Sequence, residues 1–215
     1  VKVSENLIGV LALQGDVHEH IRAIEACGET AVPIRRAAEL AGLAGLILPG
    51  GESTTMDKLI RSFGLAEPLK EFIASGQPVY GSCAGMILLA DRIVDPATDL
   101  GGQPQQTLGG LDIAVRRNAF GRQRDSFETE LTFSGLSDPE RPMHAVFIRA
   151  PWVESAGAGV QRLATVRIEG ADRAVAVRSG NLLATSFHPE VTGQRGVPSE
   201  LRVHELFIRM IKQEA

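Results

Sequence analysis

Cysteine is scarce in this sequence. It occurs twice, as Cys27 and Cys83, in 215 residues. Two thiols do not make a disulfide framework, so the expected setting is a reducing, cytoplasmic one. Positive charge is not in excess either. The 22 Lys and Arg against 26 Asp and Glu leave a net charge of −4, without the basic stripe a nucleic-acid-binding surface usually carries. No apolar run approaches the roughly eighteen residues of a membrane span. The opening "VKVSENLIGVLALQG" has one lysine, a short apolar core and an immediate polar continuation, so it reads as a first strand and not as a secretory signal. Internal repeats, low-complexity stretches and linker-like segments are missing as well. What remains has ordinary globular composition, 44 % hydrophobic and 22 % charged. A single domain over residues 1–215 is expected, binding neither nucleic acid nor membrane.

Within that frame the apolar runs are short and alternate with helical patterns. "LIGVLAL" (7–13) has the length and continuity of a strand buried on both faces. The helix after it is predicted to open with a capping box of Asp16 and Glu19, to bury Val17, Ile21 and Ile24, and to stop at Gly28. "TAVPI" and "GLILPGG" read as further strands, and "TTMDKLIRSF" and "LAEPLKEFIASG" as further helices. This alternation predicts a three-layer α/β fold, a mostly parallel central sheet with helices on both faces. After Asp95 the character changes. A loop rich in Gly, Pro and Gln gives way to the strand-like segments "LDIAV", "SFETELTF", "MHAVFI", "RLATVRI", "RAVAVR" and "NLLATSF". The tight turns at Glu169–Asp172 and Ser179–Asn181 predict antiparallel pairing there. A last helix is expected to open at Pro198 and Ser199 and to bury Val203, Leu206, Phe207, Met210 and Ile211.

One of the two cysteines sits in an unusual frame. "PVYGSCAGMILLA" places Cys83 between Gly81 and Gly85, after a strand-like and before a helix-like segment. That is the context of a nucleophile elbow, the cysteine version of G-x-S-x-G. Glycines permit the sharp turn and close packing where a Cβ would collide. The helix N-terminus favours a thiolate and offers backbone N–H groups to an oxyanion. Cys27 has no such frame and reads as a core residue.

A thiolate nucleophile needs a base, and the base needs an acceptor to orient it. His18 and His20 fall in the first helix and are expected on its solvated side; His144 opens a strand and His204 lies in the last helix. His188, in "LLATSFHPEV", ends an apolar strand, and Glu190 two residues on can project to the same side. A carboxylate there would set the tautomer of an imidazole facing the thiol. "LILPGGESTTM" adds two glycines and Glu52-Ser53 ahead of a helix. Gly51 is a candidate oxyanion donor, Ser53 a candidate helix cap, and the spacing is not that of a P-loop. No Cys/His cluster has zinc spacing.

With "PGGES", "GSCAG" and "HPE" in this order, the chain resembles the triad class I glutamine amidotransferases. Within them "LQG", "GGEST" and "RNAFGRQ" make it similar to the PdxT family, the glutaminase subunits of pyridoxal 5′-phosphate synthase. The resemblance runs nearly end to end. It implies a Cys83, His188 and Glu190 triad, with backbone N–H groups of Gly51 and Ala84 as the oxyanion hole. It further implies glutamine binding by Gly51, Glu52, Ser53, Arg117, Ile148 and Arg149. Read without it, Arg117 in "RRNAFGRQRD" is a solvated basic loop residue. The resemblance also implies L-glutamine as substrate and no metal or organic cofactor. The implied partner is a PdxS-type (β/α)8 synthase subunit that receives the ammonia, in a core of synthase subunits decorated with glutaminase subunits. Gln14 and Gly15, after the first strand, are candidates for the partner-facing edge of the oxyanion site. Three departures stand out: Ser82 where threonine is frequent, Trp152 where histidine is common, and a longer stretch from Asp95 to Gly109. Another amidotransferase glutaminase, a stand-alone cysteine hydrolase of the same fold, and a non-catalytic binding subunit are the alternative readings.

Overall fold

A computed structural model describes residues 6–99, 101–119, 126–168, 170–190 and 200–214. The first half alternates as the sequence predicts. Strand β1 (Leu7–Leu11) leads to helix α1 (Val17–Ala26), β2 (Thr30–Ile34) and, after a short 3-10 turn, β3 (Gly45–Leu48). Helices α2 (Ser53–Ser62) and α3 (Ala66–Ala74) precede β4 (Val79–Ser82) and the short α4 (Ala84–Leu89). The second half is built from β5 (Ala90–Val94), β6 (Leu111–Arg116), β7 (Ser126–Leu131), β8 (Met143–Ile148) and β9 (Trp152–Ala156). It continues with β10 (Gln161–Ile168), β11 (Ala171–Ser179), β12 (Leu182–Thr185) and α5 (Arg202–Ile211).

Ten strands form one sheet, ordered β2-β1-β3-β4-β12-β11-β9-β6-β5, with β10 also paired to β11; β7 and β8 form a separate ribbon. From β2 to β12 every pairing is parallel. From β12 through β11 and β9 to β6 the pairings are antiparallel, as are β10 with β11 and β7 with β8, and β5 returns parallel to β6. The sheet is therefore mixed, with its antiparallel strands in the second half, as expected.

Alternation along the strands feeds two cores. Leu46, Leu48, Val79 and Ala184 face one side and pack with Met56, Ile60, Leu69 and Ile73 of α2 and α3. Ile8, Val10, Ile47, Tyr80 and Leu183 face the other and pack with Val17 and Ile24 of α1 and Val203, Leu206 and Phe207 of α5. This gives the three layers. Two strands were not read from the sequence. β5 follows the elbow helix directly, and β9 has only Trp152 and Val153 fully buried at its start. Pro198 and Ser199, expected to open the last helix, lie outside the described residues, as does Glu169 of the expected β10–β11 turn.

Three local expectations are corrected. Asp16 stands at the N-cap of α1, but its side chain makes no cap hydrogen bond, so no capping box forms. Helix α2 is capped by Glu52 and not by Ser53: its carboxylate accepts from the N–H groups of Thr54 and Thr55 at 3.2 and 2.7 Å. His18 is exposed, but His20 is fully buried.

Candidate active site

Because β1, β3, β4 and β12 run parallel, their C-terminal ends meet at one edge, the place where open α/β sheets gather their site loops. Gln14, Gly15 and Asp16 follow β1; Gly50, Gly51, Glu52 and Ser53 follow β3; Cys83 follows β4; His188 and Glu190 follow β12.

The Cys83 turn is sharp. Its φ of 48° with ψ of −99° is a conformation few side chains adopt, at a cost of about 1–3 kcal/mol. Two features hold it there. The Cys83 N–H donates to the Thr185 carbonyl at 2.7 Å, fixing the elbow to β12. The flanking glycines let the layers close. A Cβ on Gly81 would come within 2.5 Å of the Gly85 carbonyl carbon, and one on Gly85 would collide with the Leu48 carbonyl oxygen.

His188 Nδ1 lies 2.8 Å from Glu190 Oε1, so the imidazole donates its Nδ1 proton there and turns its other nitrogen away. Cys83 and the His188 imidazole line the same cavity, and the thiol is among the groups that act on the imidazole's charge. Gly50 makes room for it, since a Cβ there would lie 2.5 Å from His188 Cε1. Burial alone would disfavour an imidazolium. The negative charge of Glu190, helped by contacts with Asp16, Cys83 and Glu190, outweighs it and raises the His188 pKa well above the usual histidine value. Glu190 is completely buried, which opposes its charge. His20 and His188 beside it overcome that and hold the carboxyl well below the usual range. Ser82 Oγ is 3.1 Å from both carboxylate oxygens and can donate to either.

A cavity of about 300 Å³ opens in front of this cluster, a volume at the small end of ligand sites. Cys83, Ala84 and His188 line its floor, Gly51, Glu52 and Ser53 one wall, and Arg117, Ile148 and Arg149 another. Gln14 also lines it, while Gly15 and Glu190 do not. Every residue expected from the sequence to hold glutamine therefore borders one cavity. Arg117 is not a solvated loop residue. Its Nη2 sits 3.4 Å from Glu52 Oε1 and from Thr54 Oγ1. Burial raises the pKa of Glu52, but hydrogen bonds from the Thr54 and Thr55 hydroxyls and N–H groups prevail and hold it at about 2. Asn118 and Arg149 both have positive φ, 45° and 44°, and their loops are tied by Ala119 N–H donating to the Ala150 carbonyl at 3.0 Å.

Two contributors escaped the sequence reading. Asp16 Oδ2 lies 3.3 Å from His188 Nδ1 and borders the cavity; its acidic neighbour Glu19 made it look like a cap. His20 Nε2 lies 3.4 Å from Glu190 Oε1. The signal for His20 was its three-residue spacing from Val17 and four-residue spacing to Ile24, the buried stripe of α1. Donor atoms of Asp16, His188 and Glu190 lie within 4.8 Å of one another. A cation could use that spacing, while the 2.8 Å between Nδ1 and Oε1 also suits a direct hydrogen bond.

The chain is similar to known glutamine amidotransferases. A profile of the SNO glutamine amidotransferase family matches residues 10–213. The pyridoxal 5′-phosphate synthase subunit PdxT of Renibacterium salmoninarum is 75 % identical over 203 residues, covering 94 % of this chain and 89 % of that protein. That of an Arthrobacter species is 63 % identical over 225 residues, covering 97 % and 93 %. A solved glutamine amidotransferase superposes with a TM-score of 0.81 at 42 % identity, covering 95 % of this chain and 98 % of its own. The PurLQS structure from Thermotoga maritima shares the fold, with a TM-score of 0.64 at 15 % identity over 98 % of each chain. The chain belongs to the SNO glutamine amidotransferase family.

Proposed function

We propose that the chain is the glutaminase subunit of a pyridoxal 5′-phosphate synthase, a single glutaminase domain that releases ammonia from L-glutamine and hands it to a PdxS-type synthase subunit. The observation that carries this reading is the meeting of Cys83, His188 and Glu190 at the ends of adjacent parallel strands, with Cys83 and His188 lining an amino-acid-sized cavity and Glu190 buried behind His188. The PdxT relatives, at up to 75 % identity, support the same role.

In this reading His188 takes the thiol proton and Cys83 Sγ attacks the side-chain amide carbon of glutamine. The backbone N–H groups of Gly51 and Ala84 hold the oxyanion. The C–N bond breaks as His188 gives its proton to the leaving nitrogen, so ammonia departs and a glutamyl thioester remains. Water, deprotonated by His188, then attacks the thioester. Glutamate leaves and the thiol is restored. Glu190 keeps the imidazole in the right tautomer and stabilises its charged form. The Arg117 guanidinium suits the substrate α-carboxylate and the Glu52 carboxylate suits the α-ammonium, with Ser53, Ile148 and Arg149 shaping the remaining walls.

Ammonia set free in water is protonated and ceases to be a nucleophile, which is why a bound acceptor subunit is part of the proposal. Gln14 gives the partner a handle on the chemistry. Its Oε1 accepts from the Glu52 N–H at 2.8 Å, tying the β1 loop to the glycine loop that carries Gly51. Pressure on the Gln14-Gly15 turn would reach the oxyanion site directly.

The test is glutamate formation from glutamine, with and without a PdxS-type synthase subunit, for wild type and Cys83→Ala. Activity that rises with the synthase and vanishes in the variant is expected. Activity indifferent to the synthase would remove the partner, and activity surviving Cys83→Ala would remove the nucleophile.

A further inference from the structure

Behind Glu190 lies a chain of buried imidazoles for which the proposed reaction has no use. His20 from α1 and His204 from α5 are both fully buried, with His20 Nδ1 3.0 Å from His204 Nε2. The rings of both meet the Tyr80 ring edge-on, with centroids 5.9 Å away. The other His20 nitrogen, Nε2, has no well-formed hydrogen bond and points at Glu190 Oε1, 3.4 Å away. On the buried stripe of an amphipathic helix, leucine would fill such a place without cost, whereas burying a polar ring needs compensation.

The carboxylate bears on where a proton sits on His20. A lone pair on His20 Nε2 would face the carboxylate and be repelled, so Nε2 carries a proton. His20 Nδ1 and His204 Nε2 share one hydrogen bond at 3.0 Å. Burial, with the neighbouring His20, keeps His204 neutral by lowering its pKa to about 3. Among the described residues His204 Nδ1 has no hydrogen-bond partner. The carboxylate thus meets His188, Ser82 from β4 and His20 from α1.

We infer that His20, oriented by His204, is a positioning residue that fixes Glu190 as a carboxylate aimed at His188. This rests on the reading of Cys83, His188 and Glu190 as the reacting cluster. His20 touches neither the cavity nor the thiol; it acts through Glu190 alone.

The test contrasts two amides at position 20. His20→Gln carries an N–H donor where Nε2 stands and keeps the contact with Glu190. His20→Asn places its amide near Nδ1, where it can still meet His204 but falls short of Glu190. The pH profile of glutamate formation, measured with a PdxS-type synthase subunit, is expected to be wild-type in the Gln variant. In the Asn variant the acid limb of kcat should move up by about one pH unit, with kcat at neutral pH about tenfold lower and KM unchanged. The rate at which iodoacetamide alkylates Cys83, a readout that needs neither glutamine nor a partner, should show the same shift. Profiles that coincide for both variants and wild type, with only the melting temperature lowered, would reduce His20 to a packing residue. A Cys83→Ala control that keeps activity would overturn the cluster reading itself, and this inference with it.

Discussion

Cys83 holds a conformation that glycine tolerates and other residues resist, and this can be measured apart from any chemistry. In most helices and turns alanine is the better residue, but at φ 48° and ψ −99° a Cβ is the source of the strain. Cys83→Gly should therefore be more stable than Cys83→Ala by about 1 kcal/mol in urea denaturation, reversing the usual order. Glu190 and His188 make a second prediction at this scale. The Glu190 pKa is depressed below its ordinary 4.5, so its contribution to stability is complete above that value and is lost as pH falls through the folded pKa. The His188 pKa is raised above its ordinary 6.5, so its contribution is complete below that value and is lost as pH rises through the folded pKa. The two windows overlap between about pH 4.5 and 6.5. The stability advantage of wild type over Glu190→Gln should peak there and shrink on both sides, which thermal melts across pH will show.

At the scale of elements, the elbow works because β4 and α4 pack without side chains between them. A Cβ on Gly85 meets the carbonyl oxygen of Leu48 in β3, a backbone atom that cannot step aside. Gly85→Ala should cost about 3 kcal/mol or more in urea denaturation, and the same change at exposed Gly159, where a Cβ meets nothing and φ is not positive, far less. This element was legible in advance because glycine spacing and the strand-to-helix switch are local features. The parallel strands were legible for a similar reason: a strand buried on both faces is continuously apolar. What stayed hidden depends on distant partners. Asp16 looked like a cap because capping is local, yet its carboxylate faces His188 across the sheet edge. His20 looked solvated because histidine is polar, and only the docking of α1 beside α5 and Glu190 buries it. Trp152 and Val153 open β9 too briefly for their alternation to register before polar Glu154 and Ser155 follow.

Across the whole molecule, the sheet order is the feature that matters most. The strand bearing Cys83 and the strand preceding His188 are far apart in sequence, yet they are neighbours in register, Ser82 against Thr185. Ser82 and Glu190, which share hydrogen bonds, stand 108 positions apart. During synthesis the N-terminal strands β1 to β4 leave the ribosome first, and nothing then supports the strained turn at Cys83. Its N–H has no Thr185 carbonyl to meet, and its sulfur has no imidazole. Only when β12 slides in beside β4, closing the parallel half of the sheet, are strain, base and carboxylate supplied in one step. The order of the chain thus keeps the elbow without its neighbouring strand and its His188–Glu190 pair until residues 182–190 have been made.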